Sequence, residues 1–324
     1  MSKGDRAAVV ALVDRLVAEG TDPLCVLTEV VVPAQRSIGD RWQRGEWTVA
    51  QEHAATAMAM AATEVISRRL GTHEVPRGHV IVTCAEREWH WLPAAIVSCA
   101  LRAGGWQTTL LVPAISPLRI SRYIQDIGPQ AVAVSCSVLG ALPTTRRFIE
   151  ACTSAGVPVV VGGAAFGPDA MRAEALGATA WAGDALSAVD AVAGLPVVVS
   201  PAEPLPEAPA NEQAALQMDQ QRIVDRLRRE WSVTANLETG PTSSALRALA
   251  RDTLPQTLHA ISAALLTGDS RPLSETAEWL ARLLDHRGVE SRSAIEELAV
   301  LMRAAVFDYP LSADLVRSHF RLAS

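Results

Sequence analysis

The chain has 324 residues, enough for two or three domains that each bury a core. With 29 Lys and Arg against 35 Asp and Glu, the formal net charge of -6 offers no broad basic surface, so direct binding to nucleic acid is not expected. No apolar run reaches membrane-span length and the N-terminus has no signal-peptide core, so a soluble, cytoplasmic protein with no membrane partner is expected, its five cysteines reduced and mostly buried.

Residues 5–19 carry an apolar stripe of helical period that ends at Gly20. Asp22-Pro23 reads as a cap followed by a first-turn proline, starting a second helix that runs towards Trp42 with a bend expected at Pro33. Thr48 and Gln51 have capping-box spacing, so a third helix should begin at Val49 and reach about Leu70. Residues 1–75 are therefore expected to form a helical bundle.

From residue 79 the pattern changes to short apolar strands, at 79–84, 106–112, 131–136, 158–162 and 178–182. Helices are expected between them, at 93–103, 117–127, 142–155 and 168–175. This alternation predicts a parallel, doubly wound sheet of Rossmann-like, flavodoxin-like type over 76–195. The prolines of 196–212 read as an extended linker. Beyond it the periodicity of Ile223, Leu227, Leu254, Leu258, Leu280, Leu284, Ile295 and Met302 predicts an all-helical domain over 213–324. The expected fold class is α/β with all-α flanking domains.

The chemistry concentrates in the loop that follows the first strand. A strand feeding a helix places its connecting loop at the carboxyl edge of a parallel sheet, where ligands bind. In Glu88-Trp89-His90, the carboxylate can take the proton of one imidazole nitrogen and leave the other for a metal, an arrangement common around metal-ligating histidines. A lone His in such a loop is more often simply solvated. In the bundle, Trp42 near the end of the second helix and Glu52-His53 in the first turn of the third can converge on a flat polar group; a bundle Trp is also commonly core. The pair Gly162-Gly163 after the fourth strand permits close approach to the backbone.

Trp42, Val49 and Glu52-His53 together resemble the signature of adenosylcobalamin-dependent photoreceptors of the CarH type. Glu88-x-His90-x-x-Pro93 resembles the cobalamin motif Asp/Glu-x-His-x-x-Gly. Ser135-Cys136-Ser137 resembles the family's Ser-x-Leu, and Gly162-Gly163 its glycine pair. The resemblance implies that His90 is the lower cobalt ligand with Glu88 as its orienting partner. It further implies that Ser135, Ser137, Gly162 and Gly163 line the slot for the nucleotide tail, and that Trp42, Val49, Glu52 and His53 cover the adenosyl group. Three positions depart from the pattern: Pro93 for Gly, Ser137 for Leu, and Gln43 where the family has a His that can bind cobalt after illumination. The bis-His photoproduct is therefore not expected.

With the bundle starting near residue 5 and no helix-turn-helix before it, transcriptional repression of the CarH kind is not expected either. A cobalamin module joined to a helical domain resembles the photocobilins, which implies biliverdin as a second cofactor. The C-terminal domain lacks cysteine, so a bilin there would be held non-covalently, by aromatic walls and cations for its propionates. Candidates are Trp279, Arg282, His286, Arg287, Arg303, Phe307, Tyr309 and His259; each is also an ordinary helix residue, and the same histidines would suit haem in a globin-like fold. The reading is a light-sensing, non-enzymatic homo-oligomer, dimer favoured and light-dependent, that signals through a separate output protein. The alternatives are a corrinoid carrier of a methyltransferase system and a cobalamin sensor with a haem-binding domain.

Overall fold

The computed structural model describes residues 5–71, 75–86, 88–235 and 241–322. The chain divides into two compact units, Met1–Ala202 and Glu203–Ser324.

The first unit opens with α1 (Arg6–Ala18), whose Asp5 cap accepts a hydrogen bond from the Ala8 N–H at 2.9 Å. Asp22 caps α2 (Pro23–Val26) in the same way. The interruption expected at Pro33 takes a particular form: a π turn, Leu27–Val31, joins α2 to α3 (Val32–Gln43). The wider turn accommodates the ring of Pro33, which would collide with a carbonyl of a regular helix, and the helical path continues. In α4 (Val49–Arg69) both capping-box bonds form, Gln51 N–H to Thr48 and Thr48 N–H to Gln51.

The sheet comprises β1 (His79–Ala85), β2 (Gln107–Ile115), β3 (Ala131–Ser135), β4 (Val159–Gly162) and β5 (Ala180–Ala182). All pairs are parallel in the order β2-β1-β3-β4-β5, and between them run α5 (Leu92–Ala103), α6 (Pro117–Ile127), α7 (Leu142–Ser154) and α8 (Met171–Ala175). A further helix that the sequence reading did not anticipate, α9 (Ala185–Ala193), follows β5 and is capped by Asp184 with Ser187. The strand order reverses between β1 and β3, so their carboxyl ends lie side by side, with Cys84 opposite Ser135. This is the switch point at which doubly wound sheets open a crevice. The bundle packs on α5, through a shared core of Val26, Leu27, Ala62 and Ile66 with Leu92, Ile96 and Cys99.

The expected linker 196–212 is shorter than its prolines suggested. Its last third is already helical, because α10 (Glu207–Glu230) starts directly after Pro206 and holds Pro209 in its first turn, where a missing N–H costs no helical bond. The second unit continues with α11 (Ser232–Ala235), α12 (Pro241–Thr267), α13 (Arg271–Asp285), α14 (Ser291–Ala305) and α15 (Pro310–His319). Its periodic positions, including Leu227, Leu258, Leu280 and Leu298, are buried, as is Trp231, whose indole donates to the Ala294 carbonyl at 2.9 Å. Among the described residues no helix is long and apolar enough to cross a membrane.

The cysteines differ sharply in environment. Burial pushes the Cys84, Cys136 and Cys152 thiols up to about 12 and raises that of Cys99, whereas Cys25 is exposed. Since only the thiolate reacts, a disulfide reagent at neutral pH should modify one thiol per native chain rapidly and all five after denaturation. Loss of the fast phase in Cys25→Ser would identify it; fast reaction of a second thiol would contradict the burial of the other four.

Candidate functional site

The loops that leave β1 and β3 meet at Glu88. This side chain is fully buried, yet every lone-pair direction finds a donor. Its Oε1 accepts from the His90 backbone N–H at 2.8 Å and lies 2.7 Å from His90 Nδ1. Its Oε2 accepts from the backbone N–H groups of Ser137 at 2.6 Å and Val138 at 3.0 Å. Burial opposes the charge on Glu88, but the hydrogen bonds from His90 and Ser137 outweigh it and hold the carboxyl below its usual range. The hydrogen bond to Glu88 raises the basicity of His90, against the effect of burial. With Nδ1 turned to the carboxylate and 62% of the side chain exposed, Nε2 is the nitrogen left to meet a metal.

The candidate residues of the bundle lie at the end of α3 and in the first turn of α4. A tight turn after α3, in which the Trp42 carbonyl accepts from the Gly45 N–H at 3.0 Å, sets half-buried Trp42 before the first turn of α4. There Val49 and His53 are exposed, and His53 Nε2 lies 3.5 Å from Glu52 Oε2. Glu52 is near enough to His90 to add to the rise in its basicity. Glu52 is thus the bundle residue that comes near the sheet loop.

Beside them lies a cavity of about 610 Å³ between the sheet, α5 and the bundle. Ser135, Ser137, Gly162 and Gly163 all line it, as the sequence reading requires of a slot for a ligand tail. So do residues that reading missed: Thr28, Glu29, Val32, Gln35 and Arg36 from the bundle, and Asp184 at the start of α9. Their signal was present in the sequence, since positions 28, 32 and 35 recur at helical spacing on one face of the segment spanning the π turn and α3. The departure at position 93 is also explained, because Pro93 occupies the second position of α5, where proline is well tolerated.

A B12 binding domain model matches residues 78–193, and a second B12 binding domain model matches residues 1–67. The first unit is a cobalamin-binding module. The residues present fit that cofactor: the oriented imidazole of His90 could supply a nitrogen to its metal, and the adjoining cavity could receive a tail. Over 167 residues, 50% of this chain, the sequence is 30% identical to the HTH-type transcriptional repressor CarH of Myxococcus xanthus, and the match covers 54% of that protein. The chain thus spans about half the length of this curated relative. Among solved structures, a monomethylamine corrinoid protein of Methanosarcina barkeri is similar over 57% of this chain and 93% of that one, at 21% identity and a TM-score of 0.49. A cobalamin-binding protein from Desulfitobacterium hafniense is similar over 59% and 92%, at 20% identity and a TM-score of 0.33.

In the second unit the candidate bilin residues fall into separate groups. Tyr309 donates to Asp219 at 2.6 Å, and His259 Nε2 lies 3.0 Å from the amide of the adjacent Gln220, so both engage α10. Arg282, His286 and Arg287 gather at the end of α13, where His286 Nδ1 and Arg287 take the carbonyls of Arg282 and Leu283. Trp279 is half-buried on α13, Arg303 is exposed near the end of α14, and Phe307 is 80% exposed.

Proposed function

We propose that the chain is a light sensor that binds adenosylcobalamin, with His90 beneath the cobalt and Trp42, Val49, Glu52 and His53 over the adenosyl group. The observation that supports this reading is an imidazole oriented by a buried carboxylate at the carboxyl edge of the sheet, with Glu52 of the bundle near it. When bound, adenosylcobalamin supplies a cobalt-carbon bond that light can break. The protein's part is to hold His90 in one orientation and to close the bundle over the upper face. The relation to CarH and the fit of the Trp-Glu-His trio favour a resident adenosyl group over an upper face that must open to methyl donors.

Signalling in this reading requires the dark and illuminated states to favour different assemblies, a dimer in one of them, or different affinities for a separate output protein. In the likeness to CarH-type photoreceptors Gln43 takes the place of a His, so this chain would supply no second imidazole from that position. We assign biliverdin to the second unit, held without a covalent bond by groups drawn from His259, Trp279, Arg282, His286, Arg287, Arg303 and Tyr309. The protein is a cytoplasmic signalling component and not an enzyme.

Brief green light on the adenosylcobalamin-loaded protein should convert its absorbance to that of an aquo form, and His90→Ala should lose protein ligation of cobalt in both states. A spectrum unchanged by light, together with methyl transfer from methylcobalamin, would replace this reading with a corrinoid carrier. Red absorption after production with biliverdin tests the second cofactor; a haem Soret band without it would reassign that unit.

A further inference from the structure

Gln35 lies on the bundle wall of the cavity and begins a short relay. Its Nε2 is 2.9 Å from Thr56 Oγ1, which in turn is 2.9 Å from Glu52 Oε1. A carboxylate oxygen accepts, so the Thr56 proton is committed to Glu52 and the hydroxyl must accept from Gln35. That order fixes the amide: Nε2 turns to Thr56 and Oε1 turns the other way. The Oε1 atom is buried, and among the described residues it has no hydrogen-bond partner. A buried acceptor left in this state is unfavourable unless a ligand supplies the donor.

We propose that Gln35 selects cobalamin by accepting, at Oε1, a hydrogen bond from a primary amide on the edge of the corrin. This rests on assigning the cavity to cobalamin. The chemistry discriminates between classes of tetrapyrrole. A corrin edge carries carboxamides, which bring N–H donors; haem and bilins carry propionates, which at neutral pH bring only acceptors and would set lone pairs against a buried Oε1. The same side chain anchors Thr56 and through it Glu52, so the residue that reads the corrin edge also positions a carboxylate facing His90.

The test is a set of binding titrations, followed by visible absorbance, with hydroxocobalamin and with its monocarboxylic acids, in each of which one edge amide is hydrolysed. The wild-type protein should bind one of these acids about tenfold more weakly than the parent, the factor expected for one buried hydrogen bond exchanged for a repulsive contact. Gln35→Met should bind the parent more weakly and no longer distinguish it from that acid. Thr56→Val, which removes both the acceptor that holds Nε2 and the hydroxyl that reaches Glu52, frees the amide to turn its NH2 towards the ligand and should reduce the discrimination. Equal wild-type affinity for the parent and every acid would overturn the proposal without any variant, and so would Gln35→Met that preserves the wild-type ratio. Failure of the wild-type chain to take up hydroxocobalamin at all would instead remove the assignment beneath it.

Discussion

Glu88→Ala is expected to destabilise the cobalamin-free chain by about 3 kcal/mol, because it strips a buried acceptor from three backbone N–H groups. The side chain is fully buried and receives four hydrogen bonds, from the His90 N–H, His90 Nδ1, and the Ser137 and Val138 N–H groups. Truncation leaves three backbone donors in a place water reaches poorly, each costing about 1–3 kcal/mol when unpaired, although the loops will relax to recover part of that. Glu88→Gln keeps the shape but must aim an NH2 group at one of the two donor pairs, so it should lie between wild type and Ala. The same substitutions free the imidazole to rotate, and loss of an orienting partner of this kind typically weakens metal affinity about 10–100-fold. Urea denaturation of the cobalamin-free protein and titration with hydroxocobalamin measure the two effects separately. A loss of less than about 1 kcal/mol would mean that the two loops do not depend on the carboxylate.

The dependence of site on fold explains which parts of this protein were legible in its sequence. Strand and helix alternation was readable because four of the five strands are short runs that include Val, Ile or Thr, and the Thr48-Gln51 box marked the start of α4 without any tertiary information. Glu88 and His90 were readable as a pair because they are two residues apart. Their contact with Ser137 and Val138 was not, since it spans about fifty positions and exists only because β1 and β3 are neighbours in the sheet. Gln35 shares a helical face with Thr28 and Val32, but its contact with Thr56 spans 21 positions and the burial of its oxygen exists only in the folded bundle, so its role could not be read from spacing alone. The prolines of the linker misled in the opposite direction. Proline stops helices in their interiors but not in their first turn, so the composition of 196–212 hid the beginning of α10. In the second unit apolar periodicity gave the core, whereas polar residues scattered over several helices have no sequence spacing from which a shared pocket could be read.

Gly163→Ala should cost about 3 kcal/mol or more, because two penalties fall on one methyl group. The residue has φ +106°, outside the regions that an L side chain readily adopts, and an added Cβ would sit 2.3 Å from the Cys136 carbonyl oxygen and 2.8 Å from its carbon. That carbonyl cannot simply swing away. It accepts from the Ala165 N–H at 3.2 Å, and the Cys136 N–H donates to Gly162 at 2.9 Å, so the loop after β3 and the turn after β4 are tied together at this point. Gly128→Ala provides the comparison, since that residue ends α6 with φ +61° and nothing lies within 4 Å of the added atom. It should cost only about 1 kcal/mol, the backbone penalty alone. Cys136 immediately precedes the two N–H groups that hold Glu88, so pushing its carbonyl should also disturb His90 and weaken hydroxocobalamin binding. Gly128→Ala should leave binding unchanged. Equal losses of stability at the two positions, with cobalamin affinity intact at both, would show that the loop after β3 yields freely and that the orientation of His90 does not depend on it.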